Sequence, residues 1–187
     1  MPHKLPAALL TGARGIGKTT LCLEIVNSET GFAGLLSPPL FNDSGEKCGF
    51  SGRCIGSEFS WEFGRVDRDL YGPRIGKYSL SRTGIERAIL CVKLSLNQLE
   101  KITIIDEIGP LELRKGEGLA PLLPCLAAAG PLLLVIRKEM ISYLMPYIPF
   151  HTSRVFHVGE RNRDTITGEI ISYLKDPSEN EDTPPTS

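Results

Sequence analysis

The sequence predicts an α/β protein: a mostly parallel β-sheet with helices on both faces and an antiparallel β segment inserted into it. Short apolar runs typical of buried strands alternate with helical patterns through most of the chain. A glycine-rich loop joins the first apolar run to the first helical pattern. A stretch rich in glycine and serine, at about residues 41–63, has the short alternating runs of antiparallel strands.

The first elements can be assigned in order along the chain. LPAALL (5–10) and FAGLLS (32–37) are predicted strands, because each is a short apolar run that ends at turn-forming residues. KTTLCLEIVNS (18–28) lies between them and is a predicted helix, since Leu21 and Ile25 share one face. The opening of the chain therefore reads as strand, loop, helix and strand.

The middle of the chain contains the clearest helix and strand patterns. Residues 64–82 are rich in Arg, Gly and Asp and are expected to form a loop. SRTGIERAILCVKLSLNQLE (81–100) has Ile85 and Ile89 at the start of a series with helical spacing, which predicts an amphipathic helix. KITIID (101–106) is apolar and β-branched, and it predicts a buried strand.

The last third continues the alternation and ends in a tail. DPSENEDTPPTS (176–187) has no periodicity and is expected to be disordered, so residues 1–175 are expected to form a single domain. The remaining predicted elements are a helix at 118–129, a strand at 131–137, a short helix at KEMISYL, a strand at 153–158 and a helix from Asn162 to Leu174.

Composition restricts the possible partners and locations. The net charge is −1 and the predicted pI is about 6.3, which gives no electrostatic reason to expect nucleic acid as a partner. No stretch approaches the roughly 20 apolar residues of a membrane span, and no secretory signal pattern is seen. We therefore expect a soluble, cytoplasmic monomer. The five cysteines are scattered, and we expect free thiols in a reducing compartment.

GARGIGKT (12–19) fits the phosphate-binding pattern G-x-x-x-x-G-K-[ST]. Its glycines let successive backbone N–H groups point at phosphate oxygens, and the following helix presents the positive end of its dipole. Lys18 is placed to bridge the β- and γ-phosphates, and the Thr19 hydroxyl is placed to ligate Mg²⁺. The nucleotide-binding residues predicted in this region are Gly12, Ala13, Arg14, Gly15, Ile16, Gly17, Lys18, Thr19 and Thr20.

A second motif, KITIIDEIGPLEL (101–113), supplies two adjacent carboxylates. The apolar strand delivers Asp106 at its carboxyl end, where open α/β sheets place their ligand crevice. Asp106 fits the carboxylate that holds Mg²⁺, directly or through water, and Glu107 is placed to polarise an attacking water. Both residues are also predicted to line the nucleotide site. The two motifs together describe a site for phosphoryl transfer to water.

On these residues the chain resembles the small nucleoside-triphosphatases first described from thermophiles, also called the cancer-related nucleoside-triphosphatase family. GARGIGKTT and IIDEIGPLEL carry the resemblance, with weaker matches at GLLSPPL, KCGF, RIGKYSLS and RNRD, and it covers residues 5–174. The resemblance implies a RecA-like P-loop core, Mg²⁺ dependence, and hydrolysis of ATP, GTP and other triphosphates to diphosphate and phosphate with little base preference. It places the nucleotide-binding stretches at Gly12–Thr19 and about Ile102–Gly109.

The chain departs from the family pattern beside the predicted site. Family members commonly carry proline at the position of Arg14, Thr-Glu in place of Ser37-Pro38, and Lys-Met in place of Pro110-Leu111. Arg14 has two interpretations. It is either a catalytic arginine that reaches the γ-phosphate from within the loop, or a side chain that points to solvent or pairs with a surface acid.

Three further residues are candidates for nucleotide contacts. Arg137 ends a predicted parallel strand, so it either senses the γ-phosphate or forms a surface salt bridge. Asn162 and Arg163 belong to an NRD sequence that resembles a family motif and could border the nucleotide base. Asn162 is otherwise an N-cap for the last predicted helix.

Two other classes of function remain open on the sequence alone. The chain is alternatively a P-loop kinase for a nucleotide or small molecule, or a nucleotide-dependent switch whose slow hydrolysis times a partner interaction. Glu107 favours hydrolysis, because a kinase must exclude water from the γ-phosphate. The kinase alternative depends on a basic segment that could act as a lid, formed by Arg65, Arg68, Arg74, Lys77, Arg82 and Arg87.

Overall fold

Residues 5–149 and 152–176 of the chain are described by a computed structural model. Within these ranges the strands are β1 (Ala7–Thr11), β2 (Phe32–Leu36), β3 (Pro39–Phe41), β4 (Lys47–Cys54), β5 (Ser60–Arg65), β6 (Tyr71–Ile75), β7 (Tyr78–Ser81), β8 (Ile102–Ile108), β9 (Leu132–Ile136) and β10 (Ser153–His157). The α-helices are α1 (Lys18–Ser28), α2 (Arg82–Leu96), α3 (Pro110–Lys115), α4 (Ile141–Leu144) and α5 (Arg163–Lys175). Short 3₁₀ helices occupy Ala120–Ala128, Lys138–Met140 and Met145–Tyr147.

All ten of these strands belong to one continuous sheet. One half is parallel, with the strand order β10-β1-β9-β8-β2. The other half is antiparallel: β4 pairs with the end of β2, β5, β7 and β6 follow outward, and β3 pairs with β4. The predicted fold class, a parallel α/β sheet that carries an antiparallel insertion, is confirmed.

Helices cover both faces of the parallel half. In β1, Ala8 and Leu10 belong to the apolar cluster formed with α1 and α5, whereas Leu9 belongs to the cluster formed with α2. Successive side chains of a strand point to opposite faces, so a strand buried on both faces must be apolar throughout. This double burial explains why β1, β2 and β9 are continuous apolar runs in the sequence.

α2 connects the antiparallel half of the sheet to the parallel half. Its N-terminus is capped by Ser81, whose Oγ accepts the Gly84 N–H at 3.0 Å. The Trp61 indole of β5 donates to the Gly84 carbonyl at 3.0 Å, and Val92 on the same helix is fully buried against the core. The helix therefore holds the insertion and the central strands as one packed unit.

The expectation that residues 64–82 form a loop is wrong. This stretch contains β6 and β7, which form an antiparallel pair at one end of the sheet. No clear alternation of apolar and polar residues is visible there, because charged side chains interrupt it. Several of the arginines are fixed in ion pairs with nearby acids: Arg65 with Glu62 and Asp67, Arg68 with Glu62, and Arg74 with Asp69.

The region after β8 also differs from the sequence expectation. The helix predicted at 118–129 is a 3₁₀ helix over Ala120–Ala128, because Pro121 and Pro124 lack the N–H groups that an α-helical ladder requires. α3 was not predicted. Gly116 caps its C-terminus, directly after Lys115, and its φ of 68° is in the left-handed region.

The remaining sequence expectations have mixed outcomes. Cys54 and Cys91 form a disulfide that joins β4 to α2, with 6.0 Å between their Cα atoms, so the expectation of free thiols is wrong for this pair. Cys22, Cys48 and Cys125 are free. Apart from Asp176, the predicted tail lies outside the described residues. Among the helices that the structure describes, none has the length and apolar character needed to cross a membrane.

Gly34→Ala is expected to destabilise the fold strongly. Gly34 has a φ of 120°, and a Cβ at this position would overlap the backbone of Ile104 on the neighbouring strand β8. We expect the free energy of unfolding, measured with urea, to fall by about 3 kcal/mol or more. Gly168→Ala is the control, since Gly168 lies in α5 with open space around it, and it should raise stability by about 0.5–1 kcal/mol. Equal effects of the two substitutions would contradict the proposed clash.

Candidate active site

The glycine-rich loop runs from the end of β1 to the start of α1. Gly12 has a φ of 155°, and a Cβ there would lie 2.6 Å from the Val158 carbonyl oxygen. Gly17 has a φ of 94°, and a Cβ there would overlap the guanidinium of Arg163. Both positions therefore require glycine for conformation and for space. The loop therefore packs closely against Val158, which follows β10, and against Arg163 at the start of α5.

Lys18 lies over the loop that contains it. Its Nζ donates to the carbonyl oxygens of Gly12 and Ala13, each at 3.0 Å. Ala13, Arg14 and Gly15 are exposed at the tip of the loop. The ammonium group is therefore folded back onto the backbone at the start of the loop.

Asp106 lies at the carboxyl end of β8 and faces the start of α1. Its carboxylate accepts the Ser37 N–H at 3.3 Å, and the nearby Thr19 side chain acts to lower its pKa. The Ser37 hydroxyl also donates to the Asp106 carbonyl at 2.5 Å. Because Asp106 is 2% exposed, burial raises its pKa to about 6. The structure thus places Thr19 and Asp106, the two predicted metal ligands, near each other.

Glu107 follows Asp106 but faces a more open part of the site. Its side chain is 38% exposed, and its Oε1 lies 3.5 Å from Nε of Arg137. Arg137 follows the end of β9, the neighbour of β8 in the sheet, so adjacent strand ends bring the two side chains together. The structure therefore places Arg137 at Glu107, while Arg14 remains exposed at the loop tip.

Asn162 and Arg163 use their side chains to hold backbone. Asn162 Oδ1 accepts the Gly159 N–H at 2.8 Å, and its Nδ2 donates to the His157 carbonyl at 2.9 Å. Its side chain forms no cap hydrogen bond to α5, although Asn162 precedes the helix as expected. Arg163 donates to the Ile16 carbonyl of the glycine-rich loop at 3.0 Å and pairs with Glu24 at 3.1 Å. Asn162 thus shapes the segment after β10, and Arg163 attaches the loop to α5.

An open hollow of about 530 Å³ lies beside the glycine-rich loop. The residues that line it are His157, Gly159, Glu160, Arg161 and Asn162. These residues lie beside the loop because β10 pairs with β1. One residue beyond β10, the Val158 N–H still donates to the Thr11 carbonyl of β1 at 2.8 Å. The hollow lies on the opposite side of β1 from β8 and β9.

Two residues of the site were missed at the sequence level. Ser37 was noted only as a departure from a family pattern, although its hydroxyl and N–H both contact Asp106. Glu112 was not considered, because one acid between two leucines resembles an exposed helix position. It is buried, and burial raises its pKa to about 7. A buried acid in α3 could have been inferred only from the helix packing.

The fold and the site define a class of protein. A glycine-rich loop joins a strand to a helix, and a buried carboxylate on the next-but-one strand faces the threonine of the loop. This arrangement on a parallel sheet is that of a P-loop NTPase. The family described as NTPase matches residues 7–171, so the chain belongs to that family and is a nucleoside-triphosphatase by class. The resemblance expected from the sequence is confirmed.

Relatives with this organisation are found in several organisms. The nucleoside-triphosphatase THEP1 of Methanopyrus kandleri is 27% identical, over 93% of this chain and 96% of the relative. The THEP1 of Saccharolobus solfataricus is 29% identical over 88% of this chain and 90% of the relative. Two solved structures share the fold. THEP1 from Aquifex aeolicus has a TM-score of 0.69 and 21% identity, and the match covers 91% of this chain and 99% of that chain. A human cancer-related nucleoside triphosphatase has a TM-score of 0.66 and 20% identity, and the match covers 91% of this chain and 97% of that chain.

Arg163→Gln is expected to weaken nucleotide binding, because it removes the bond that attaches the Ile16 carbonyl to α5. The KM for nucleoside triphosphate should rise severalfold, and we expect a smaller change in kcat. Glu24→Gln is the control. It removes only the partly exposed ion pair with Arg163, which contributes about 0–1 kcal/mol, and should leave KM nearly unchanged. If both variants raised KM equally, the ion pair rather than the loop contact would be the important interaction.

Proposed function

We propose that the chain hydrolyses ATP, GTP and other nucleoside triphosphates to diphosphate and phosphate, with Mg²⁺ as cofactor and Glu107 orienting the attacking water. The placement of Glu107 supports this most directly. It lies one residue beyond Asp106, whose carboxylate is near Thr19 of the glycine-rich loop, and its own side chain is 38% exposed. A carboxylate in this position has access both to water and to the end of a bound triphosphate.

The residues from Gly12 to Thr20 are proposed to bind the phosphates. Backbone N–H groups of the loop and the N-terminus of α1 would face the phosphate oxygens. Lys18 would exchange its bonds to Gly12 and Ala13 for the β- and γ-phosphates. The positive charge of Lys18 would then stabilise the negative charge that develops on the phosphoryl group during transfer.

Thr19 and Asp106 are proposed to hold the Mg²⁺ ion. The Thr19 side chain lies close enough to lower the pKa of Asp106, and a hydroxyl with a carboxylate oxygen nearby suits Mg²⁺, which supports this proposal. Among the described residues no three or more His, Cys, Asp or Glu cluster as a metal site, which fits a metal held mainly by phosphate oxygens, water and few protein ligands. When bound, Mg²⁺ would neutralise phosphate charge.

The proposed position of the nucleotide base rests on the strand order of the sheet. Asp106, Glu107 and Arg137 follow strands on one side of β1, so the γ-phosphate is proposed to point to that side. The base would then extend to the β10 side, towards the hollow that Asn162 helps to shape. Arg163 would contribute indirectly, by holding the loop at Ile16.

The kinase alternative loses its main support in this structure. Its lid was expected to be a free basic segment, but the segment forms β6 and β7 at one end of the sheet. Arg65, Arg68 and Arg74 are engaged by carboxylates of the same segment. Three of the six basic residues on which the lid depended are thus already paired with protein carboxylates.

Phosphate release from each of four triphosphates in the presence of Mg²⁺ tests the proposal. We expect release from all four, and a loss of kcat of about a hundredfold or more in Glu107→Gln, because the amide cannot accept a proton from water. Glu169→Gln is the control, since Glu169 is exposed on α5 away from the site. Transfer of phosphate to an added acceptor without release to water would instead support a kinase.

The two candidate arginines can be separated by kinetics. Arg14→Ala and Arg137→Ala are each expected to lower kcat with little change in KM, if each guanidinium stabilises charge on the transferring phosphoryl group. Arg137 would first have to exchange its contact with Glu107 for the phosphate. An unchanged kcat in either variant would remove that arginine from the catalytic set, and for Arg14 it would support the alternative of a solvent-facing side chain.

A further inference from the structure

Glu112 is a buried acid that no step proposed above uses. Its residue is 8% exposed, and each carboxylate oxygen accepts a backbone N–H. Oε2 accepts the Gly109 N–H at 2.9 Å, and Oε1 accepts the Leu119 N–H at 3.2 Å. A buried carboxylate is costly unless its oxygens are hydrogen-bonded, and here both are.

These two bonds connect the ends of one segment. Gly109 immediately follows β8, and Leu119 immediately precedes the 3₁₀ helix Ala120–Ala128. Glu112 itself lies in α3 between them, so one side chain fastens both ends of the segment to its middle. Gly118 leaves room for this arrangement, since a Cβ there would overlap the Glu112 carboxylate.

The fastened segment begins beside Glu107. Only Ile108, which is 1% exposed, separates Glu107 from Gly109. The hydrogen-bond register between β8 and β9 is irregular between Asp106 and Ile108, so regular pairing with β9 does not by itself hold Glu107. Ile108 pairs with Ile136 of β9, and the next backbone N–H along the chain, that of Gly109, is held by the Glu112 carboxylate.

We propose that Glu112 is a positioning residue for hydrolysis: its carboxylate holds the Gly109 and Leu119 N–H groups and thereby fixes the backbone that presents Glu107 to the attacking water. This inference rests on the proposed role of Glu107. A side chain that orients water contributes through accuracy of placement, and a displacement of about 1 Å can lower the rate by a hundredfold. Burial raises the pKa of Glu112, while the two backbone N–H groups act in the opposite direction.

Glu112→Gln tests the proposal. The amide retains one acceptor oxygen but turns an NH₂ group towards one of the two N–H donors, so one of the two bonds is lost. We expect kcat to fall about tenfold or more while the KM for nucleoside triphosphate stays within about twofold. Glu117→Gln is the matched control: it makes the same chemical change in the same segment at an exposed position, and it should retain wild-type kinetics.

A double variant distinguishes positioning from general loss of structure. In the Glu107→Gln background, Glu112→Gln is expected to change the residual rate by less than about twofold, because Glu112 acts through Glu107. Losses that multiply would overturn the proposal. If Glu107→Gln alone retained wild-type kcat, the proposed function would fail. If Glu107→Gln were inactive while Glu112→Gln matched Glu117→Gln, only the positioning role would fail.

Two further measurements apply if Glu112→Gln does not fold. Hydrogen exchange of the wild-type protein should show slow exchange at the Gly109 and Leu119 amides, and fast exchange at either would overturn the proposal. Glu112→Asp keeps the charge but shortens the side chain by one methylene. It should show the same fall in kcat with nearly constant KM, and wild-type kcat in this variant would also contradict the proposed role.

Discussion

The parallel pairing of β8 with β2 on one side and β9 on the other is the constraint on which the site depends. The pairing with β2 brings Ser37 to Asp106, and the pairing with β9 brings Arg137 to Glu107. Parallel strands require crossover helices on the faces of the sheet, and these helices bury both faces. Before Asp106, β8 is apolar apart from Thr103, and Asp106, its first charged residue, lies towards the edge where ligands bind.

Regular, repetitive features of the fold could be predicted from the sequence. α1 matches its predicted range of Lys18–Ser28, and β8 was predicted to deliver Asp106 at its carboxyl end. Both depend on local patterns: helical spacing of apolar residues and a short β-branched run. The glycine-rich loop was recognisable for a related reason, since its conformation requires glycine at Gly12 and Gly17.

Features that depend on contacts between distant residues could not be predicted. Arg163 reaches the Ile16 carbonyl across 147 positions of sequence, and no local pattern shows that this arginine holds backbone. The arginines between 64 and 82 were interpreted as mobile cations because their carboxylate partners are recognisable only once β5, β6 and β7 are paired. In both cases the guanidinium binds an acceptor that the protein itself supplies, a backbone carbonyl or a carboxylate.

The three acids near the site differ in exposure in a way that matches their proposed tasks. Asp106 and Glu112 are buried and hold backbone N–H groups: that of Ser37 in one case, and those of Gly109 and Leu119 in the other. Glu107 lies between them in sequence and is the most exposed of the three, with Arg137 beside it. A carboxylate that orients water must remain reachable by water, whereas one that fixes structure is stronger when water is excluded. The buried acids thus supply the rigidity that an exposed carboxylate at a strand end lacks.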